Sequence, residues 1–467
     1  MKCWIAHIAM CVIALAAPSV CKAEKTLLLE IERLDERFVA ISSDFYDDQS
    51  QRSRDLLLHE GGMEHLSAIV KGYVGANDHV AAIAAIHANE TLIRTNVDHN
   101  GVLGLVDLLL RHNDRYLADR LVSAVYENGD RALIANINFI LAKYHAARLA
   151  WERVHELLPG SINELSPEDA AYAHLLDGVA LQKSGKHRQA MERYGKVPDN
   201  SRYFPEALLN TAVASIRQGW WTDAEAVLRR LAAQELLDRP EIANRAYLIA
   251  GHALHQYGFY RSAREAFRKV QLNSIHANAA LLGIGLAATS QGDFTGAINA
   301  FLYVKDRGGT DLATDETFLL LPYVYSQQSQ EGLVVTGYTE ALNHYRTRVA
   351  ELKALAEDAD CSLDCYDGNG KVLLCGNHAL AYGARFPDSF MNNYAELRKL
   401  LRAGKTGTIS AQLKTLHAEY ANTFRNIRRK LVEERLDNIQ DYLSQAQYGL
   451  AHYFDSTSVA SSLKEAR

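Results

Sequence analysis

Hydrophobic positions fall at helical spacing along most of this chain. From Glu24 to Ser42, Leu27, Ile31, Leu34 and Phe38 form one stripe, which predicts an amphipathic helix. Helical patterning runs on from Asp78 to Leu157. It is broken at Asp98-His99-Asn100-Gly101, at Arg111-His112-Asn113 and at Glu127-Asn128-Gly129-Asp130. Past residue 338 the stripe lengthens. Tyr338, Leu342, Tyr345, Val349, Leu352 and Ala356 alternate by four and three. Asp388 is placed to cap a helix carrying Phe390, Tyr394, Leu397 and Leu401, which ends at Gly404. A last helix from about Thr408 carries Leu413, Leu416, Tyr420, Phe424, Ile427 and Leu431, then Leu436, Ile439, Leu443, Ala446, Leu450 and Tyr453. Such sustained heptad-like spacing marks a helix packed lengthwise on others.

Between 166 and 308 the pattern repeats. Gly185, Gly219, Gly258 and Gly292 are separated by 34, 39 and 34 residues. Seven residues before each stands a small residue: Gly178, Ala212, Gly251 and Gly285. Five after each stands an alanine: Ala190, Ala224, Ala263 and Ala297. Four further on comes a large apolar side chain: Tyr194, Leu228, Phe267 and Phe301. The glycine ends a first helix in a left-handed conformation and reverses the chain. The small residue and the alanine let the paired helices approach. The large side chain fills the wedge toward the next pair, and one pair alone cannot bury its apolar face.

These positions resemble the tetratricopeptide repeat family. The resemblance implies an all-α solenoid whose first helices line a groove for protein partners. Groove positions on first helices are then Tyr172, Asn210, Tyr247 and Tyr325. The match fades through 312–345, where Ser329, Val334 and Tyr338 replace Gly, Ala and aromatic, and Pro322, at the small position, predicts a bent or irregular helix. Residues 24–165 are read as degenerate repeats of the same superhelix rather than a separate helical domain, and 166–345 as the repeats proper. Residues 346–455 form a coiled-coil-like bundle in which helices 338–357 and 408–455 pair antiparallel within the chain. Residues 456–467 are a flexible tail.

The bundle is interrupted at 358–388, where Cys361, Cys365, Cys375 and His378 cluster. Asp367-Gly368-Asn369-Gly370 is a turn signal and Lys371 to Leu374 reads as a short strand. Cys365 and Cys375 flank it, so a disulfide-stapled hairpin is expected, with Cys361–Cys375 the alternative pairing. Closing such a loop would stabilise it by roughly 2–3 kcal/mol. A zinc site on the three cysteines and His378 has the right ligand number but an unusual spacing. A calcium loop lacks carboxylates at its first and last positions, Cys365 and Gly376.

The first residues change where this fold is placed. Lys2 followed by an apolar run from Trp4 to Ala17, with Cys21-Lys22-Ala23 after it, reads as a signal peptide cleaved after Ala23. The run is too short to span a bilayer, and no later segment is apolar enough. Export to the periplasm is expected. Removing residues 1–23 deletes Lys2 and Lys22 and no acid, which leaves 48 basic and 56 acidic residues and a net charge of −8. That argues against nucleic acid or an anionic lipid surface as the main partner. Composition is ordinary for a folded protein, at 48% hydrophobic and 23% charged, and only 8 prolines leave room for long helices.

Catalytic signatures are lacking. Lys405-Thr406-Gly407 matches a serine β-lactamase triplet without its partner motifs, and there is no phosphate loop, nucleophile elbow or dinucleotide fingerprint. His252 and His255 are three apart on one helix. The expectation is a scaffold without cofactor, binding envelope proteins. The alternative is a glycan- or peptidoglycan-binding protein, with Trp220, Trp221, Tyr257 and Tyr260 at one edge.

Overall fold

A computed structural model describes residues 20–52, 62–232, 240–357, 366–367, 372–375, 378–381, 388–404 and 407–465. The described residues are helical apart from three short strands, and they divide into two compact units. Among the described residues, one comprises those within 20–214 and 388–425, the other those within 215–381 and 426–465. They are called the first and second units below.

Helix α1 covers Val20–Arg52. Helix pairs follow: α2 (Gly62–Gly75) with α3 (His79–Ala88), a short α4 (Glu90–Thr95), α5 (Gly101–Arg111) with α6 (Arg115–Asn128), α7 (Arg131–Ala147) with α8 (Trp151–Leu157), and α9 (Pro167–Lys183) with α10 (His187–Tyr194). Then come α11 (Phe204–Arg217) with α12 (Trp221–Ala232), α13 (Pro240–Gln256) with α14 (Tyr260–Arg268), α15 (Ala277–Ser290) with α16 (Phe294–Arg307), and α17 (Leu312–Gln327) with α18 (Glu331–Glu357).

One turn joins the helices of all eight pairs. A residue with positive φ stands at Asn77, Asn113, Leu149, Gly185, Gly219, Gly258, Gly292 and Ser329. At each, its N–H donates to the carbonyl three residues back, and the next N–H donates to the carbonyl five before itself. Asn113 with Leu110 and Asp114 with Leu109 show this, as do Gly258 with His255 and Phe259 with Leu254. This is the Schellman closure of a helix C-terminus. From Asn77 to Gly185 the steps are 36, 36 and 36 residues. Five residues after the four non-glycine turns, Ala82, Ala118, Val154 and Val334 are each 0% exposed, as are Ala190, Ala263 and Ala297 after glycine turns.

Small residues act where expected. A Cβ on Gly178 would stand 2.3 Å from the Tyr194 ring, and one on Gly285 would stand 2.2 Å from the Phe301 ring. Pro322 does not interrupt α17, which is helical from Leu312 to Gln327. There the close approach has moved to the second helix, since a Cβ on Gly337 would lie 3.0 Å from Pro322 Cβ. Ser329 is exposed and holds φ at 55°. Ser329→Gly is expected to raise stability by about 0.5–1 kcal/mol, the left-handed penalty less the added unfolded-state entropy. A lower urea midpoint would show that the serine side chain supports the turn.

Helix α18 runs antiparallel to the C-terminal part of α20 (Thr408–Glu465). Gly449 meets the Tyr338 ring, and the Tyr345 and Tyr442 rings are 5.9 Å apart. Within the first unit, residues 408–425 of α20 lie antiparallel to α1: Thr423 donates to Glu30 at 2.6 Å, and Arg37 pairs with Glu419. Helix α19 (Asp388–Ala403) packs there through Phe390, whose ring stacks on Tyr420 at 5.1 Å. Helix α20 continues to Glu465, ten residues past the helix end expected at 455. Extending a formed helix fixes only one residue per added bond, so an Ala-, Ser- and Lys-containing end suffices.

In the insertion, β1 (Tyr366–Asp367) pairs antiparallel with β2 (Val372–Cys375), opposing Tyr366 to Leu373. A third strand that the sequence did not announce, β3 (His378–Ala381), pairs with β2 and opposes His378 to Cys375. Cys361 and Cys365 lie outside the described residues, as do the side chains of Cys375 and His378, so the disulfide and zinc expectations fall there too. Most of the expected signal segment, residues 1–19, also falls outside them.

Candidate interaction surfaces and buried polar clusters

The four expected groove residues are distributed over the two units, two in each. In the first unit, Tyr172 is half-buried. Its ring stacks on Tyr203 at 4.5 Å and meets Phe139 edge-on at 6.0 Å. Burial, then the neighbouring Tyr203, raises its pKa. Asn210 is half-buried on α11. In the second unit, Tyr247 packs on the Phe267 cluster beneath Lys269, whose Nζ is 5.2 Å from the ring centre. Tyr325 is only 9% exposed, and its carbonyl accepts from Gln328 and Gln330 in the last repeat turn, so it offers structure rather than surface.

The edge aromatics are more exposed. Trp221 and Tyr257 follow and precede the turns at Gly219 and Gly258, and their rings approach to 4.1 Å. Tyr257 is 54% exposed and Phe259 53%. Phe259 escaped the sequence reading because a residue directly after a turn glycine can point inward or outward. Beyond α14, Ile275 is 79% exposed.

At the N-terminus of α17 a buried ionic cluster forms that no sequence motif announced. Asp315 is 0% exposed. Its Oδ1 accepts from His344 Nε2 at 2.7 Å and Arg348 Nε at 3.2 Å, while Oδ2 pairs with Arg435 of α20. Its backbone carbonyl accepts the Tyr345 hydroxyl at 2.7 Å. Burial lowers the Arg435 pKa, and Asp315 opposes that.

Beside it, Glu316 is 2% exposed and its Oε1 has no partner. Burial raises its pKa to about 7 from 4.5. The folded-state pKa exceeds the unfolded one, so the stability it confers is full below pH 4.5 and is lost as pH rises through about 7. A shift of that size corresponds to about 3 kcal/mol. Glu316→Gln is therefore expected to match the wild type near pH 4.5 and to exceed it by up to about 3 kcal/mol at pH 8 in urea unfolding. An equal difference at both pH values would show that Glu316 titrates normally.

The first unit holds a polar seam around Asp35 of α1. Its Oδ1 accepts from Asn113 Nδ2 at 3.1 Å and from Asn393, and its Oδ2 from Arg148 Nε at 3.3 Å. Tyr144 donates to Asn113 at 2.8 Å. Glu396 of α19 pairs with His112 at 3.0 Å and Lys399 at 2.9 Å. Burial raises the Glu396 pKa, but these two partners outweigh it and leave it lowered. In the second unit, the His252 pKa is pushed down to about 4, by burial first and then by His255. His252 packs edge-on to Phe267 at 5.0 Å. Among the described residues no group of three His, Cys, Asp or Glu is placed to hold a metal ion.

The described chain is thus built of tetratricopeptide-like helix pairs. No family model matches it, and no curated protein matches it. Among solved structures it is similar to the C-terminal part of a TPR repeat-containing protein from Cytophaga hutchinsonii, at 14% identity and TM-score 0.42, covering 52% of this chain and 94% of that one. It is similar to a tetratricopeptide repeat protein from Parabacteroides merdae at 16% identity and TM-score 0.34, covering 56% and 98%. It is also similar to a signal transduction ATPase with numerous domains that carries a tetratricopeptide repeat sensor, from Pyrococcus horikoshii. There the identity is 14%, the TM-score 0.34 and the coverage 92% and 74%. The repeat assignment rests on the eight turns of this chain.

Proposed function

We propose that this protein is a non-catalytic scaffold of the bacterial periplasm, which binds protein partners during assembly or operation of an envelope complex. The observation that carries the binding role is the aromatic edge of the second unit. Tyr257 and Phe259 are more than half exposed, with Trp221 against Tyr257. Large rings left in water at one edge mark interaction surfaces, and aromatic residues are enriched at interface cores. Export is supported by the basic and apolar segment at Lys2 to Ala17. Among the described residues no helix is long and apolar enough to cross a membrane.

A photo-crosslinking residue at position 257 in the full chain, expressed in cells, is expected to trap a defined partner in the periplasmic fraction. Phe259→Ser is expected to reduce that adduct at least about five-fold, about the loss of one buried apolar contact. An unchanged adduct pattern would remove this edge from the binding role. The same aromatic rings favour a second reading, stacking on sugars. Co-sedimentation with purified sacculi that is lost in Tyr257→Ser would replace the protein partner with a glycan.

A further inference from the structure

His87 lies in the last turn of α3, its side chain 1% exposed. Its Nδ1 is 2.5 Å from Asp47 Oδ1 of α1, and its Nε2 meets Asp114 Oδ2 in the turn between α5 and α6. A neutral imidazole carries one N–H and one lone pair, whereas an ionised carboxylate only accepts. With a carboxylate at each nitrogen, the neutral ring would hold one lone pair against an anion. We infer that His87 is a proton-operated latch, an imidazolium that fastens the C-terminal end of α1 to the first repeat.

The two carboxylates differ in freedom. The Asp114 side chain is 0% exposed and that of Asp47 is 51% exposed. When the ring gives its proton to solvent, Asp114 has nowhere to go, while Asp47 can turn to water. The contact that opens is therefore the one to α1, over residues 41–52, where Phe45 and Tyr46 are 2% and 0% exposed. The Tyr46 ring centre is 6.0 Å from that of His87. Burial first, then the Glu396 carboxylate of α19 and that of Asp114, raise the Tyr46 hydroxyl pKa, and Glu396 itself pairs with His112 and Lys399. The position at a helix C-terminus also favours a cation. Burial opposes the charge on His87, but the Asp114 and Asp47 carboxylates outweigh it and raise the ring's pKa. The latch is closed below that pKa and opens as pH rises through it.

Hydrogen exchange of the full chain, read by mass spectrometry between pH 5.5 and 8.5 and corrected for intrinsic rate, tests this. Protection of residues 41–52 is expected to fall at least about ten-fold on raising the pH, equal to the loss of one charge-assisted hydrogen bond. In Asp47→Asn the same segment is expected to show low protection at both pH values, with the other repeats unchanged. Because Asp47 is half-exposed, this variant remains folded where a His87 substitution could unfold the first repeat. Protection of 41–52 that stays level with pH in the wild type would overturn the latch. So would the same pH-dependent loss persisting in Asp47→Asn.

Discussion

Asp315→Ala is expected to destabilise the second unit by about 3–5 kcal/mol, as breaking a buried ion cluster from one side does. The carboxylate is 0% exposed and serves His344, Arg348 and Arg435 together. Removing it leaves the Arg348 side chain, 9% exposed, and that of Arg435, 12% exposed, without their shared counter-charge. Arg348 keeps Glu351 at 3.1 Å, but Glu351 is itself partly exposed and screened. Asp315→Asn, which retains one acceptor oxygen, should cost less. Replacing Asp315, Arg348 and Arg435 together by apolar residues should recover most of the loss, because the desolvation penalty goes with the charges. Urea unfolding at pH 7, with hydrogen exchange of residues 312–327 as the local readout, checks the series. A loss below about 1 kcal/mol for Asp315→Ala would mean that water reaches the cluster.

Phe267→Ala is expected to cost about 3–5 kcal/mol, at the upper end for its type. The ring is 1% exposed and lies between two glycines of successive first helices. A Cβ on either Gly251 or Gly283 would stand 2.4 Å from ring carbons. A cavity is cheap only where neighbours can relax into it, and glycine walls have no side chain to swing inward. Phe267→Leu should cost less. Gly283→Ala alone should destabilise by about 1–3 kcal/mol through overpacking, yet should become less harmful beside Phe267→Leu, which makes room for the methyl group. Additive losses in that double variant would show that the ring and the glycine do not share one space.

What the sequence showed depends on which residue holds the turn. Glycines announce the left-handed position at Gly185, Gly219, Gly258 and Gly292. In the N-terminal repeats Asn77 and Asn113 take it instead. Asparagine is the usual non-glycine there but also stands in many other loops, so it carries little signal alone. Leu149 carries none, yet holds φ at 60°. The 36-residue step became visible only with the backbone angles. Pro322 pointed to irregularity, but α17 runs through it unbroken, and its ring packs where Gly337 of the opposite helix has no side chain.

The candidate sites divide the same way. Tyr325 sat on the expected first helix but is covered, because helix rotation within a solenoid is set by packing on both neighbours. Asp315 and Glu316 read as ordinary first-turn acids, whose place near a helix N-terminus is locally favourable. Nothing nearby in sequence shows that Arg435, 120 residues away, arrives to pair with one of them and not the other.

The sequence by itself determined the helical period, the turn chemistry of four repeats and the apolar stripe of the long C-terminal helix. These are local properties, set within a few residues by sterics and by which side chain a turn admits. Only the tertiary structure decided that the remaining pairs close by the same turn, which rings stay in water at the edge, and which of two neighbouring acids is paired. It also decided that His87 bridges Asp47 and Asp114. Each of these depends on desolvation and on partners brought from distant segments, and burial in the folded chain is what turns an ordinary ionisable residue into a cluster or a latch.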